Sequence, residues 1–242
     1  MAREIHNAIV LRRSDWRDYD RMLTLLTPEG RIDAVARGCR RPKSPLLSAA
    51  EPFTAGEYTL YKSISHYQVE QYRSTDTFYP LREDYERLTH AAYYLRLAEM
   101  ISLPDQPCRP LFDMLLRALA HITYGETAPE IVTMAFELHL LASLGLSPSM
   151  DRCVRCGVQV DSAAWFDAEG GGVVCEKCKK ALPDISNGAR RIMMRVPMTR
   201  FDALSKLTGH PDAPEAALFT RRFISLRPEM HVPSAPDIRE IF

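Results

Sequence analysis

Four cysteines stand in two pairs, Cys153-x2-Cys156 and Cys175-x2-Cys178, with 18 residues between the pairs. A Cys-x2-Cys turn points two thiolates at one centre, and two such knuckles complete a tetrahedral four-sulfur site of the kind zinc takes. Four sulfur ligands leave no open coordination position. The spacing therefore predicts one structural zinc ion on Cys153, Cys156, Cys175 and Cys178, and not a catalytic one. A redox pair would need a single Cys-x2-Cys in a thioredoxin-like βαβ context, which the flanking sequence lacks. The loop between the knuckles carries Trp165, Phe166 and Gly170-Gly171-Gly172 and reads as a short hairpin. Cys39 and Cys108 belong to no such motif and read as ordinary small side chains.

A second kind of chemistry is available to the cations. Arg37, Arg40, Arg41 and Lys43 follow one another with only Asp33 nearby to oppose them. On a small β-barrel such residues can line a groove for a phosphate backbone, with aromatic rings for base stacking. Phe53, Tyr58, Tyr61 and Tyr67 are the rings considered, each reading first as core. Arg12, Arg13, Arg17 and Arg21 interleave with Asp15, Asp18 and Asp20 and read as a self-neutralised, solvated face. The stretch Gly38-Cys-Arg-Arg-Pro-Lys-Ser44 is not a phosphate loop, because Pro42 precedes Lys43 and the second glycine is missing. The sequence contains no G-x-G-x-x-G, G-x-S-x-G or H-E-x-x-H, and its histidines are scattered. His139 lies two residues from Glu137 on one helix, which points them to different faces. No catalytic residue and no small-molecule substrate is predicted.

The elements that must carry these groups change character along the chain. The 242 residues carry 31 basic and 31 acidic side chains, with 46% hydrophobic residues. That is a globular chain of one large or two smaller domains, and not a tail-type binder driven by bulk charge. The longest uncharged run is too short and too polar to span a bilayer. The N-terminal apolar stretch is too short for a signal peptide. A cytoplasmic location follows, where cysteines favour metal over disulfides.

Up to about residue 80 the pattern is β. Ala8–Leu11 is apolar, and Arg21–Thr27 and Arg31–Gly38 alternate around Thr27-Pro28-Glu29-Gly30, a tight-turn signal. In the second of these strands Ile32, Ala34 and Ala36 share one side. Tyr58–Lys62 and His66–Tyr72 read as two more strands, and five short strands suggest a small barrel or curled sheet. From Leu81 the period is helical, with Leu88, Ala92 and Leu95, then Phe112, Leu115, Leu116, Leu119 and Ile122, on successive faces. Thr127-Ala-Pro-Glu130 reads as a capping box before the stripe Ile131, Ala135, Leu138 and Ala142, ended by Gly145 and Pro148. Asp212-Ala-Pro-Glu215 repeats that logic before Phe219 and Phe223. Net charge is +2 over residues 1–80, −4 over 81–150 and +2 over 151–195.

In this order the segments resemble the RecO family of bacterial recombination mediators, which act in the RecF pathway. The similarity runs from AIVLRRSDWRDYDRMLTLLTPEGR through VARGCRRPKSPL and EPFTAGEYTLY to FELHLLASLGLSPSMDRCVRCG, a helix entering the first knuckle. The resemblance implies an α+β multi-domain protein. An N-terminal OB-fold β-barrel would occupy residues 1–79. A C-terminal all-α domain would follow in two parts, 80–150 and 183–242, with a four-cysteine zinc module, 151–182, inserted between them. It implies a non-enzymatic DNA repair and recombination mediator, cytoplasmic and nucleoid-associated. Such a protein binds single- and double-stranded DNA, anneals complementary strands and, with RecR, helps load RecA onto gaps coated by the single-strand binding protein SSB. The DNA contacts implied on the OB-fold map to Arg37, Arg40, Arg41 and Lys43. Many relatives have arginine directly before Phe-Glu-Leu of the third helix, where Met134 and Ala135 stand here. The acidic C-terminal tail of SSB is a further implied partner, with Arg109, Arg117, Arg221 and Arg222 the nearest cations by sequence. The alternative reading is a zinc-containing nucleic-acid enzyme or accessory subunit acting on RNA.

Overall fold

The computed structural model describes residues 3–63 and 66–227, which group into two compact units, 3–123 and 124–227. In the first unit five strands, β1 (Arg3–Asp15), β2 (Arg21–Thr27), β3 (Gly30–Ala36), β4 (Ala55–Lys62) and β5 (Tyr67–Asp76), close into a barrel of order β1-β2-β3-β5-β4. All neighbours are antiparallel except β3 and β5, which pair in parallel at Ala34 with Tyr67 and Val35 with Gln68. This closed meander with one parallel seam is the OB-fold.

β1 closes the barrel because it pairs twice. Its first half, Arg3 to Ile9, runs against β4, and its second half, from Ile9 to Asp15, against β2. The register with β2 slips between Val10 and Arg12, and that bulge bends the strand from one neighbour to the other. β1 is longer than its apolar run, Ala8–Leu11, because ladder hydrogen bonds continue where side chains alternate in exposure. The interior is filled by Val10, Leu23, Leu25, Ala34, Ala36, Tyr58, Leu60 and Val69, with Ile32 packed against them. The expected alternation in β3 is thus present. Tyr58 is fully buried and donates its hydroxyl to the Ala49 carbonyl at 2.8 Å.

The β2–β3 turn is the tight hairpin expected from Thr27-Pro28-Glu29-Gly30. Gly30 pairs with Thr27 and has φ +130°, and a Cβ there would stand 2.8 Å from the Gln106 amide nitrogen. Only glycine combines that backbone conformation with so close an approach. The neighbouring chain is tied to the turn, since the Cys108 amide donates to the Pro28 carbonyl at 3.0 Å. Helix α1 (Tyr85–Ile101) is capped by Asp84, whose carboxylate accepts from the Arg87 amide at 3.0 Å. Arg12 pairs with Glu99 of α1 at 2.8 Å, and Arg31 donates to the Glu99 carbonyl at 2.8 Å. α1 and nearly all of α2 (Arg109–Tyr124) thereby belong to the same compact unit as the barrel.

The second unit is built on α3 (Pro129–Ser143), buried at every position from Ile131 to Leu138. The sequence stripe named only part of this surface, and its last member, Ala142, is exposed. A helix apolar on all sides is a central helix, and a stripe describes it poorly. The capping box at Thr127 does not form. Ala128 is the N-cap without a side-chain bond, and the Thr127 hydroxyl meets the Thr208 hydroxyl at 3.3 Å. Around α3 lie α4 (Asn187–Arg195), a 3-10 turn (Phe201–Leu207) and α5 (Ala213–Ile224). Asp212 does not cap α5 through its side chain either. It and Glu215 turn instead to Ser186, the N-cap of α4: Glu215 accepts from the Ser186 amide at 2.9 Å and from its hydroxyl. The motif residues thus tie two helix starts together, which a local pattern does not reveal. Between α3 and α4 the chain forms a two-stranded hairpin, β6 (Trp165–Asp167) and β7 (Gly172–Val174), as the glycine-rich loop suggested. Among the described residues no helix is long and apolar enough to cross a membrane.

Candidate metal centre and nucleic-acid interface

The first knuckle is shaped by its own backbone. The Gly157 amide closes a turn onto the Cys153 carbonyl at 2.8 Å, and Gly157 has φ +74°, a left-handed conformation that frees the turn to fold back. The Cys153 amide then donates to Val158 at 2.9 Å, and the Val154 amide ties the knuckle to Val173 of β7 at 2.9 Å. In the second knuckle the Cys178 amide donates to the Cys175 carbonyl at 3.0 Å.

These turns bring the ligand atoms of Cys153, Cys156, Cys175 and Cys178 within 4.8 Å of one another, with Cys156 and Cys175 sulfurs 3.7 Å apart. Burial works against a charge on Cys153. Backbone hydrogen bonds from Cys175, Arg155 and Cys156, together with the Cys156 thiol, outweigh it and lower Cys153 to about 6. Cys178, bonded through its thiol to Cys156, Cys175 and Cys153, is pushed up to about 12. The donor set thus readily forms one thiolate and resists the last. A bound cation relieves that repulsion, and the four sulfurs can hold one metal ion. The hairpin behind the site is anchored by Phe166, fully buried and packed edge-on to Phe219 of α5 at 5.4 Å.

The cations after β3 are arranged by the loop joining β1 to β2. Residues 37–44 leave the barrel at the end where Trp16 to Asp20 form that loop. The two are stitched together: the Arg40 amide donates to the Tyr19 carbonyl at 3.1 Å, and the Gly38 amide to the Asp20 carboxylate at 2.8 Å. Arg37, Arg40, Arg41 and Lys43 are all exposed. Arg41 lies over the Tyr19 ring at 5.1 Å, and Tyr19, Arg41, Pro42 and Lys43 line one shallow surface depression. No α-helix follows Gly38, so the geometry of a phosphate loop is absent there.

Three sequence readings change. The post-β3 group does have an acidic neighbour, since Arg40 pairs with Asp15 at 3.0 Å, a residue 25 positions earlier that the barrel brings alongside. Arg37, Arg41 and Lys43 have no ion pair with a described residue. Arg12, Arg13 and Arg21 are neutralised as expected, but chiefly by more distant acids. Arg12 uses Glu99, Arg13 and Arg21 share Glu51, and Asp15 reaches Arg21 at 3.7 Å. Of the rings considered for stacking, Phe53 and Tyr58 are fully buried and Tyr67 packs against the core. On the β1–β2 loop beside these cations Trp16 and Tyr19 are exposed, at 52% each; the other exposed rings among the described residues, Tyr79, Tyr85 and Tyr124, lie outside this loop. The signal of Trp16 and Tyr19 was two large aromatics inside the otherwise polar run RRSDWRDYDR.

Other candidates are dispersed. Met134 and Ala135 are buried, so nothing reaches a ligand from there. Arg109 and Arg117 belong to the first unit, Arg221 and Arg222 to the second. Arg221 pairs at 3.0 Å with Glu137, which is 1% exposed. His139 stacks on Phe201 at 5.0 Å, and burial lowers its pKa. Cys39 is buried in the barrel core, and the Cys108 thiol donates to the Thr27 carbonyl at 3.2 Å. A groove of about 460 Å3 beside α4 is floored by residues including Ile192, Val196 and Leu204 and edged by Arg191, Arg195 and Lys206.

Comparison with known proteins agrees with this architecture. The family model for the recombination protein O N terminus matches residues 1–78, and that for its C terminus matches residues 82–236. The chain is 40% identical over 171 residues to the DNA repair protein RecO of Alkaliphilus metalliredigens, covering 70% of this chain and 69% of that one. The RecO of Acetivibrio thermocellus is 30% identical over 191 residues, covering 77% and 76%. That of Pelotomaculum thermopropionicum is 36% identical over 173 residues, covering 71% and 67%. An OB-fold barrel, a helical unit carrying a four-cysteine cluster, and matches along both halves make this chain a member of the RecO family of DNA repair proteins.

Proposed function

We propose that the chain is a non-enzymatic recombination mediator that binds single- and double-stranded DNA and anneals complementary strands. With RecR it helps load RecA onto SSB-coated gaps. The observation that carries this reading is the cationic rim. Arg37, Arg41 and Lys43 are exposed without ion pairs to described residues, beside Arg40, at one end of an OB-fold barrel. Two single strands repel each other through their phosphates. A rim that neutralises phosphates lowers that repulsion, and base pairing then supplies about 1.4 kcal/mol per stacked step, so no nucleotide is consumed.

The metal in this reading is one structural zinc ion. A tetrahedron with Zn–S bonds of about 2.3 Å has sulfur–sulfur edges near 3.8 Å, close to the Cys156–Cys175 separation of 3.7 Å. Zinc would hold the 151–182 module in shape and leave no position for substrate. What supports contact with the acidic SSB tail is the groove beside α4, where an apolar floor meets Arg191, Arg195 and Lys206. Those cations replace Arg109, Arg117, Arg221 and Arg222 as the ones to test.

The test is annealing of complementary strands already coated with SSB, without nucleotide. Replacing Arg37, Arg40, Arg41 and Lys43 together by Glu should abolish annealing and binding of both DNA forms while metal content stays stoichiometric. Unchanged DNA affinity and salt dependence in that variant would move the DNA site elsewhere. A requirement for ATP hydrolysis by this chain would defeat the reading.

A further inference from the structure

We propose that Trp16 and Tyr19 form a stacking platform for unpaired bases, so that the β1–β2 loop is what distinguishes single-stranded from duplex DNA on this rim. The inference rests on the DNA-binding reading above and deepens it.

Both rings are 52% exposed, unlike the buried Phe53, Tyr58 and Phe78; Tyr79 and Tyr85 of the same unit are exposed too, but it is the β1–β2 loop that is hydrogen-bonded to the cationic segment after β3. Trp16 and Tyr19 are absent from the barrel core, so the fold gains little from their size. The loop that carries them is nonetheless held in place. The Trp16 amide donates to the Asp20 carbonyl at 3.1 Å, the Asp20 amide to Arg17 at 3.3 Å, and the Arg40 amide to Tyr19 at 3.1 Å. The Asp20 carboxylate accepts from the Gly38 amide and Asp15 pairs with Arg40 at the surface, so two of the three acids of this loop region already have partners. Asp18 is the remaining carboxylate, against exposed Arg17, Arg37, Arg41 and Lys43. Rings presented on a fixed loop, next to cations that can follow a backbone, are what a single strand needs: phosphates meet charge and bases meet π-faces. Arg41, already over the Tyr19 ring at 5.1 Å, can serve both ends of such a contact. Duplex DNA offers the same phosphates, but its base faces are stacked on one another, so the rings add nothing to its binding.

The two roles separate experimentally in the 242-residue chain. The chain has two tryptophans, so Trp165→Phe leaves Trp16 as the sole reporter. Oligothymidine should quench its fluorescence, and a blunt duplex of equal length should not. Replacing Trp16 and Tyr19 together by Ala should weaken oligothymidine binding roughly ten- to a hundredfold, leaving duplex affinity and the salt slope of both unchanged. Equal quenching by both DNAs, an undiminished single-strand affinity, or parallel loss of both affinities would overturn the platform. The four-cation variant keeps the two claims apart. If it loses both DNAs while the double alanine variant binds like the wild type, only the platform fails. If it retains both, the DNA-binding reading fails with it.

Discussion

The barrel and the cysteine module are both small β structures, yet they are held by different means. The barrel's five strands satisfy one another's backbone groups around a closed ring, and its interior is packed with Leu23, Leu25, Tyr58 and Leu60 at zero exposure. The module has two strands of three residues each, and its two knuckles place four sulfurs at one point. A segment that short builds little core of its own, and a metal ion held by the four sulfurs would add what packing supplies elsewhere. The module is also anchored from outside, by Phe166 against Phe219 and Phe223 of α5, by Ala164 paired with Ile185 and by Arg227 donating to the Ala168 carbonyl. Burial therefore stabilises the barrel throughout, whereas in the module a smaller buried set, Phe166, Val173 and Val174 among it, would share that role with a metal centre.

The largest expected effect is loss of that centre. Chelation, or Cys153→Ser, should remove the metal, whose binding is worth about 10–16 kcal/mol in comparable small sites. Hydrogen exchange should then show lost protection over 151–182 and unchanged protection in β1 to β5. Loss of protection in the barrel as well would break the comparison. Next in size is Leu25→Ala, which leaves a cavity in the barrel core and should cost about 2–5 kcal/mol. Denaturant melting should record that loss while elemental analysis finds metal content unchanged.

A smaller effect sharpens the contrast from within the helical unit. Arg221→Met takes the guanidinium away from Glu137, a carboxylate buried on the central helix α3. Because the Arg221 side chain is 49% exposed, the expected loss is about 1–3 kcal/mol, and Glu137→Gln in the same background should recover part of it. The smallest effect concerns pH. Burial holds the His139 pKa below its ordinary value, so the unfolded chain takes up a proton before the folded one. Stability is fully present above about pH 6.5 and falls as pH drops toward the lower folded value, by at most about 1.4 kcal/mol per pH unit. His139→Phe, keeping the stack on Phe201, should flatten that slope in a pH series of melts.

Elements with strong local signals were legible. β2 has the bounds its threonine–leucine alternation gives, the β2–β3 turn follows from Pro28 and Gly30, and Phe219 and Phe223 face inward on α5. The capping motifs failed because their acidic and hydroxyl groups found better partners across the chain, Thr127 with Thr208 and Glu215 with Ser186. α3 showed an incomplete stripe because a helix surrounded by neighbours has no polar face to define one. The convergence of Trp16, Tyr19 and the post-β3 cations was invisible for another reason. It depends on β1, β2 and β3 ending side by side, and no spacing within either loop encodes that.

Chemistry whose geometry is local can be read from the residues alone. Two Cys-x2-Cys turns commit their thiolates to a shared centre wherever the loop between them can fold back, and alternating or helical periods commit segments to strands or helices. Which charges remain available is settled by folding. Arg40 is paired with Asp15 while Arg37, Arg41 and Lys43 are exposed without ion pairs to described residues, and Arg12 and Arg21 are neutralised by Glu99 and Glu51. An ion pair depends on distances of a few ångströms between residues tens of positions apart. Those distances exist only once the barrel has closed.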